Sequence, residues 1–310
     1  MASYNLSIGI IGGSGIYNMP GTETIEDIDI TTPFGKTSDK ISVLKVSESN
    51  VNVAFIPRHG KGHVLTPTEV PYQANIWALK KLGVKYIISV SAVGSLQKEL
   101  EPGHICIPDQ IIDLTTSREK TFFKNGIAGH VSMAEPYCSN LSKLLYDACI
   151  NVKCGSIVSS KKTTHLGGTL TVIEGPRFST KAESEKFRNH SGPNSCLVGM
   201  TGSPEAFLAK EAEISFAVIA HVTDYDSWNP DHDNVTVEQV ISTFGKNTVL
   251  AQKSVKEAIK LIEFQGEKYK LGESKSFTAL GNGGAIMTKK ECVKDEVVER
   301  LRPIIGEYYK

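Results

Sequence analysis

Two carboxylates with one residue between them follow a strongly apolar segment in the second half of the chain. Asp224 and Asp226 belong to the tetrapeptide TDYD, which comes directly after the apolar stretch 215–222. If that stretch is a strand, side chains two positions apart point to the same face. Such a pair could bind a metal ion, act as an acid and a base, or accept hydrogen bonds from a heterocyclic base. A helix N-cap would account for one of the two carboxylates but not for both.

An arginine and a histidine follow another apolar segment. Arg58 and His59 lie in PRHGKGH, immediately after the stretch 51–56. The planar fork of a guanidinium group suits the paired oxygens of a phosphate, and an imidazole offers a further donor. Their position at the end of a predicted strand favours a binding role for these two residues. Lys61, in the same loop, is interpreted as an exposed cation.

Three further segments combine small or aromatic residues with hydroxyl groups. IGIIGGSGIY places Ser14 among glycines, whose N–H groups can converge on an anion, and SVSAVGS offers the Ser91 hydroxyl and the Ala92 N–H as donors. In EGPRFS, Phe178 could lie against a flat ring, and a nearby apolar stretch ends in Gly-Met-Thr. Taken one at a time, a tight turn, close helix packing and a buried core aromatic explain these segments equally well.

All of these segments share one position, because each follows an apolar run that reads as a strand. The predicted strands are 8–11, 51–56, 84–90, 105–107, 169–173, 196–199 and 215–222, and helical patterns lie between them at 69–82, 140–150, 181–189, 204–213 and 235–264. This alternation predicts an α/β fold with a central mixed β-sheet flanked by helices. Ligands bind at the carboxyl ends of strands in such sheets, so we expect the segments to meet there. A Rossmann dinucleotide site is disfavoured, because Pro20 and Gly21 stand where its long helix should begin.

Composition narrows the class of protein. The chain has 310 residues, with 34 basic and 34 acidic side chains, so no global field attracts nucleic acid or a membrane surface. We expect a single domain over residues 1–310 with a C-terminal appendage from about residue 270, ending in an amphipathic helix at 289–301. The six cysteines form no CxxC pair, and the sequence has neither a signal-like segment nor an apolar run of about 20 residues. These features predict a cytoplasmic protein, which could also enter the nucleus.

Ordered segments from Ile8 to about Ile262 match one known family. They are IGIIGGSGIY, TPFGK, PRHG, YQANIWALK, PGHICIPDQIID, MAEPYC, TVIEGPRFST and TDYDSW. Through them the sequence resembles the trimeric purine nucleoside phosphorylases. The resemblance implies a homotrimeric glycosyltransferase of purine and methionine salvage that converts 5′-methylthioadenosine and inorganic phosphate to adenine and 5-methylthioribose 1-phosphate. It implies no metal and no organic cofactor, since phosphate is a co-substrate.

The resemblance also implies roles for individual residues. Phosphate would bind among Ser14, Arg58, His59, Ser91, Ala92 and Thr201. Ribose would contact Met200. The purine would lie beside Phe178, in a pocket that includes Val93, Gly94 and Val198. The edge of the purine that carries N7 and the 6-amino group would meet Asp224 and Asp226, the catalytic pair. The 5′ substituent would lie near Val237, Val240 and Ile241, with His130 supplied by a neighbouring subunit together with an apolar residue of the tail.

The residues themselves leave alternatives open. Val237, Val240 and Ile241 have the spacing of one helical face, which suits an apolar substituent but also ordinary core packing. A purine nucleoside phosphorylase acting on adenosine or on 6-oxopurine nucleosides is the nearest rival, although a 6-oxo group needs a donor where Asp224 offers an acceptor. A non-catalytic nucleotide- or phosphate-binding protein is a rival of another class. Ser14, Ser91, Val93 and the pair Gly202-Ser203 depart from the family pattern. The changes at 14, 91 and 202–203 keep hydroxyl donors but predict a looser phosphate site.

Overall fold

A computed structural model describes residues 6–13, 19–152, 163–190, 194–232 and 235–309. The strands are β1 (Ile8–Gly12), β2 (Thr22–Ile28), β3 (Thr31–Thr32), β4 (Gly35–Lys36), β5 (Ile41–Val46), β6 (Asn52–Pro57), β7 (Tyr86–Ser95), β8 (Ile105–Ile107), β9 (Gln110–Asp113), β10 (Thr164–Leu166), β11 (Thr169–Val172), β12 (Ser195–Gly199) and β13 (Ser215–Asp224). The helices are α1 (Tyr72–Lys81), α2 (Ser139–Asn151), α3 (Lys181–His190), α4 (Glu205–Glu211), α5 (Val237–Gln265), α6 (Asp295–Arg300) and α7 (Arg302–Ile305). Short 3₁₀ turns occupy Leu271–Glu273, Lys275–Thr278 and Lys290–Cys292.

One mixed sheet forms the centre of the molecule, as the sequence predicts. Its main path runs β10-β8-β13-β7-β1-β6-β5-β2, and β11 joins it through β12, which pairs with β7. The central neighbours β13, β7, β1 and β6 are parallel, whereas β5 and β2 pair antiparallel at one edge. The edge strand β2 was not predicted, because its sequence TETIEDI is mostly exposed and has no apolar face.

Helices cover both faces of the sheet. Along β13, Val218 and Val222 belong to a hydrophobic cluster shared with α1, α4, α6 and α7, while Ala217 and Ile219 belong to a second cluster shared with α2 and α5. Since successive strand residues face opposite sides, a strand buried on both faces must be apolar at nearly every position. This explains the continuous apolar runs from which the central strands were predicted.

The register of the parallel strands aligns the chemically interesting segments. Gly12 at the end of β1 lies opposite both Pro57 of β6 and Val90 of β7. A register shift in β13 between Val222 and Asp224 leaves Asp224 opposite Gly94 of β7. The segments that follow these strands therefore emerge at one edge of the sheet, side by side.

The C-terminal tail is packed into the same interior. Leu280, Leu301 and Ile305 are fully buried in the cluster that contains α1, and the Trp77 Nε1–H donates to the carbonyl of Arg300 at 3.0 Å. The predicted helix 289–301 is shorter than expected, since residue 293 is extended and buried and the α-helix begins only at Asp295. In the part of the chain that the structure describes, no helix has the length and apolar character needed to span a membrane.

Candidate active site

A cavity of about 780 Å³ opens at the carboxyl ends of the central strands. Fourteen of the residues singled out from the sequence line it: Arg58, His59, Ser91, Ala92, Val93, Gly94, Phe178, Val198, Met200, Thr201, Asp224, Asp226, Val237 and Val240. They come from segments as far apart as residues 58 and 240, and the fold brings them together around one space. We call the part near Arg58 and His59 the basic end, and the part near Asp224 and Asp226 the carboxylate end.

Three of the predicted site residues are not placed in this cavity. Ser14 lies outside the described residues, and although Ile241 is within α5, its side chain is also outside them. His130 is exposed and elsewhere on the surface, where its N–H donates to the carbonyl of Ala285 at 2.8 Å. The adjacent residues Gly129 and Ile286 form an antiparallel bridge, so His130 is fixed against the C-terminal tail.

At the basic end, the Arg58 side chain is buried and held by four hydrogen bonds to three groups. Its Nε and Nη2 donate to the two carboxylate oxygens of Glu205 at 2.5 and 3.1 Å, Nη2 also donates to Ser89 Oγ at 2.6 Å, and Nη1 donates to the carbonyl of Val90 at 3.1 Å. The guanidinium is therefore fixed in orientation before any ligand arrives. Glu205, at the start of α4, is a buried partner of Arg58 that was not predicted from the sequence.

His59 is neutral in this environment. Burial and the neighbouring charge of Arg58 lower the pKa of its imidazole to about 4. Its Nδ1 lies 2.9 Å from the carbonyl of Leu65, which can only accept, so Nδ1 carries the proton of the neutral ring. The ring stacks on that of His63 with the centroids 4.3 Å apart, and His63 lines the cavity as well.

Two hydroxyl groups meet beside this basic end. Ser91 Oγ, from β7, lies 3.0 Å from Thr201 Oγ1, from the loop after β12, and both side chains are buried. Gly13 also lines the cavity, but its N–H donates to the carbonyl of Val90 at 3.3 Å. Among the described residues, the donors that a small anion could meet here come mainly from β7 and from the segments after β6 and β12.

At the carboxylate end, Asp224 and Asp226 face the same space for a different reason from the one predicted. Strand β13 ends at Asp224, and Asp226 has a φ of 50°, so strand periodicity does not relate the two. Instead the chain turns, and the Asp226 N–H donates to Asp224 Oδ1 at 2.8 Å. Gly94 leaves the room for this turn, because a Cβ atom there would lie 2.8 Å from Asp224 Oδ1.

Both carboxyl groups are buried, and burial raises the pKa of each. For Asp224 the pKa rises to about 6, although the Thr223 hydroxyl, which donates to Oδ2 at 2.7 Å, opposes the shift. For Asp226, the nearby hydroxyls of Ser184 and Ser179 oppose the rise in pKa. The Oδ2 atom of Asp226 is buried and has no partner that meets the usual distance and angle limits of a hydrogen bond. An acid of pKa near 6 can both hold and release a proton close to neutral pH.

Apolar side chains also line the cavity, and this apolar wall includes residues of α5. Phe178 and Met200 are half-buried, whereas Val237, at the start of α5, is 56 % exposed. Gly245 and Thr248 continue the wall farther along the helix. Within the described residues, no group of three or more His, Cys, Asp or Glu side chains is arranged to hold a metal ion.

The comparisons with known proteins agree with this architecture. Residues 7–260 match the model of the Phosphorylase superfamily. An S-methyl-5′-thioadenosine phosphorylase of Chloroflexus aurantiacus is 46 % identical over 312 residues, which cover 99 % of each chain. A protein of the same name from Geobacter sulfurreducens is 45 % identical over 97 % of this chain and 98 % of its own.

Solved structures extend the likeness to three dimensions. A methylthioadenosine phosphorylase from an antarctic soil metagenomic library superposes with a TM-score of 0.86 at 43 % identity, covering 96 % of this chain and 98 % of its own. The methylthioadenosine phosphorylase of Schistosoma mansoni, solved in complex with adenine, gives a TM-score of 0.79 at 35 % identity over 89 % of this chain and 98 % of its own. From the family model and these near full-length relatives, we conclude that the chain belongs to the phosphorylase superfamily.

Proposed function

We propose that this protein catalyses the phosphorolysis of 5′-methylthioadenosine to adenine and 5-methylthioribose 1-phosphate. The observation that carries the proposal is a single cavity lined by a basic end, a carboxylate end and an apolar wall. These are the three environments that a phosphate, a purine and a methylthio-substituted sugar require. The relatives named S-methyl-5′-thioadenosine phosphorylase and the neighbouring structure that binds adenine point to the same reaction.

The basic end would bind phosphate. Arg58 contributes a buried positive charge whose orientation Glu205 fixes, and the Ser91 and Thr201 hydroxyls, with the Ala92 N–H, are the neighbouring donors. Phosphate held there can stabilise positive charge that develops on the sugar and then attack the anomeric carbon. We include Ser14 and His59 in this site, as the sequence resemblance implies.

The carboxylate end would receive the purine. As the glycosidic bond breaks, electrons move onto the base, and a protonated Asp224 can donate to N7 while Asp226 accepts from the 6-amino group. The pKa of about 6 for Asp224 allows this proton to be present near neutral pH. Because phosphate is the nucleophile and Asp224 the acid, the proposed reaction needs neither a metal nor an organic cofactor.

We further propose that the enzyme is a homotrimer in which a neighbour completes the apolar wall. Val237 is exposed on that wall, while Met287 is 66 % exposed in the segment that pairs with His130. The Met287 N–H donates to the carbonyl of Ala128 at 2.9 Å, which holds Met287 and His130 side by side. Met287 is our candidate for the tail residue that reaches the methylthio group in the adjacent subunit.

The proposed reaction is tested directly by measuring purine release from 5′-methylthioadenosine, adenosine and inosine, each with and without phosphate. We expect phosphate-dependent release of adenine, with 5′-methylthioadenosine the best substrate and inosine the poorest. Adenosine is included because one neighbouring structure is that of an adenosine/methylthioadenosine phosphorylase from Schistosoma mansoni. Release that is independent of phosphate, or no release at all, would contradict the proposal.

The role of Arg58 is tested by Arg58→Lys. The variant keeps the positive charge but cannot donate to both oxygens of Glu205 and to Ser89 at once. We expect the KM for phosphate to rise about 10-fold or more, which corresponds to one charged hydrogen bond, while the KM for the nucleoside changes by less than about threefold. Lys61→Ala, at an exposed position in the same loop, is the control and should change neither constant. Unchanged phosphate saturation in Arg58→Lys would defeat the assignment.

The role of Asp224 in substrate choice is tested by Asp224→Asn. The protonated Asp224 carboxyl has one O–H, which it donates to N7, so its second oxygen can, like Asp226, only accept from a 6-amino group and repels a 6-oxo oxygen. Such a buried mismatch costs roughly 1 to 3 kcal/mol. The amide can donate to both N7 and O6, so we expect activity on 5′-methylthioadenosine to fall and the relative rate on inosine to rise by one to two decades. The ratio of the two kcat/KM values is the measurement. A constant ratio with both rates reduced would assign specificity to other residues.

The acid role of Asp224 predicts a particular pH dependence. The pKa of its carboxyl is raised to about 6, so the proton is present below that pH and is lost as pH rises through it. We therefore expect kcat/KM for 5′-methylthioadenosine to decline above about pH 6 in the wild type. Asp224→Asn has no titrating group at this position and should lack that decline. If the variant retains it, another group is the acid.

The neighbour's contribution is tested by light scattering combined with Met287→Gln. The wild type should have three times the chain mass of 33.7 kDa. Met287→Gln should remain trimeric but show a KM for 5′-methylthioadenosine raised several-fold more than that for adenosine, because an apolar contact to the methylthio group is lost. Phe264→Gln, at another exposed apolar position, is the control. A fully active monomer at assay concentration would rule out the shared site.

A further inference from the structure

Arg118 is a buried arginine that does not line the cavity. It belongs to the polar segment between β9 and α2, and none of its side chain is exposed. Its Nε donates to Glu174 Oε1 at 3.1 Å, and its Nη2 donates to the backbone carbonyls of Glu174 at 2.8 Å and Ile173 at 3.4 Å. Its Nη1 donates to the backbone carbonyls of Met200 and Ser203, each at 2.8 Å, and to the phenol oxygen of Tyr72 at 3.2 Å.

The two loops that Arg118 holds are those that carry the proposed nucleoside contacts. One runs from Ile173 to Phe178, and the other runs from Met200 to Ser203 and includes Thr201. The loops are already in contact, since a Cβ atom on Gly175 would lie 2.6 Å from Met200 Sδ. A small change in their separation would therefore move Met200 relative to Phe178.

The Tyr72 contact extends the network toward the basic end. Tyr72 Oη receives a hydrogen bond from Arg118 and donates to the carbonyl of Pro67 at 2.6 Å. Pro67 lines the cavity together with Leu65, whose carbonyl accepts from His59. One guanidinium thus connects, directly or through one side chain, three separate stretches of the cavity wall.

Glu174 keeps the guanidinium in place. Burial acts to raise the pKa of its carboxyl, but hydrogen bonds from Thr116, Thr68, Ser117 and Arg118 outweigh burial and lower the pKa to about 2. The carboxylate is ionised throughout any practical assay range. Its Oε2 accepts from the N–H groups of Thr116 and Ser117 at 2.6 and 3.0 Å, which fixes the backbone just before Arg118.

We propose that Arg118 is a positioning residue for nucleoside binding, setting the separation between the Ile173–Phe178 loop and the Met200–Ser203 loop. This inference rests on the proposed function. A guanidinium is suited to the task, because its planar set of donors spans acceptors on both loops, whereas the donors of a lysine all radiate from one nitrogen. A lysine at this position would keep the charge but could hold only one loop at a time.

The test is Arg118→Lys, with Arg300→Lys as the matched control. Arg300 Nη2 also donates to two backbone carbonyls, those of Lys124 and Asn125, but neither residue lines the cavity. We expect Arg118→Lys to raise the KM for 5′-methylthioadenosine about 10-fold and to lower kcat/KM by about 10- to 100-fold, as misplaced binding groups do. Arg300→Lys should leave both constants within about twofold, even if both variants have a similarly reduced Tm.

A second variant keeps the proposal falsifiable if Arg118→Lys does not fold. Glu174→Gln removes the charge that holds Arg118 while preserving shape, and should raise the same nucleoside KM. The double variant Arg118→Lys/Glu174→Gln should have a nucleoside KM close to that of Arg118→Lys, because the two residues act as a unit. The effects of Arg300→Lys and Glu174→Gln on this KM should instead be additive.

The outcomes separate this inference from the proposed function. A wild type without phosphate-dependent adenine release overturns both. An active wild type with a nucleoside KM within about twofold in Arg118→Lys and Glu174→Gln, despite a lowered Tm, overturns the positioning role and leaves Arg118 as a stabilising residue only.

Discussion

The parallel pairing of β7 with β13 determines where the chemical groups of the cavity lie. Ser91, Ala92, Val93 and Gly94 lie near the end of β7, and Asp224 ends β13, in a register that sets Asp224 opposite Gly94. Helices bury both faces of these strands, so a slip by one residue would turn every apolar side chain toward the wrong cluster. The register is therefore fixed by the core, and the position of the cavity groups follows from it.

Buried charged groups surround the cavity, although burying charge is unfavourable in an apolar core. Arg58 with Glu205, Arg118 with Glu174, and the two carboxyls at the other end are all taken largely out of water. A buried ion pair is seldom more stable than an apolar pair of the same volume. What these pairs provide is fixed orientation, since each guanidinium is held by several acceptors before a ligand binds. Orientation fixed in advance lowers the cost of reaching the transition state.

Much of the site was predictable because its signals are local. Continuous apolar runs identified the central strands, and the residues that follow them, such as Arg58, Ser91 and Asp224, line one cavity as expected. The reason given for Asp226 was wrong, because a turn with positive φ, rather than strand alternation, directs it. Glu205 and Arg118 were missed for a physical reason. Their partners lie 147 and 56 residues away along the chain, and no local pattern distinguishes an acid in a helix or a basic residue in a polar loop from solvated ones.

The central claim is that one cavity brings phosphate to the anomeric carbon of a nucleoside whose base is held by Asp224 and Asp226. Mass spectrometry of the sugar product, formed from 5′-methylthioadenosine and phosphate labelled with ¹⁸O at every oxygen, tests it most directly. Attack by phosphate predicts 5-methylthioribose 1-phosphate that retains all four labelled oxygens, in an amount equal to the adenine released. Free methylthioribose carrying an oxygen from water would contradict the account, because water rather than phosphate would then be the nucleophile.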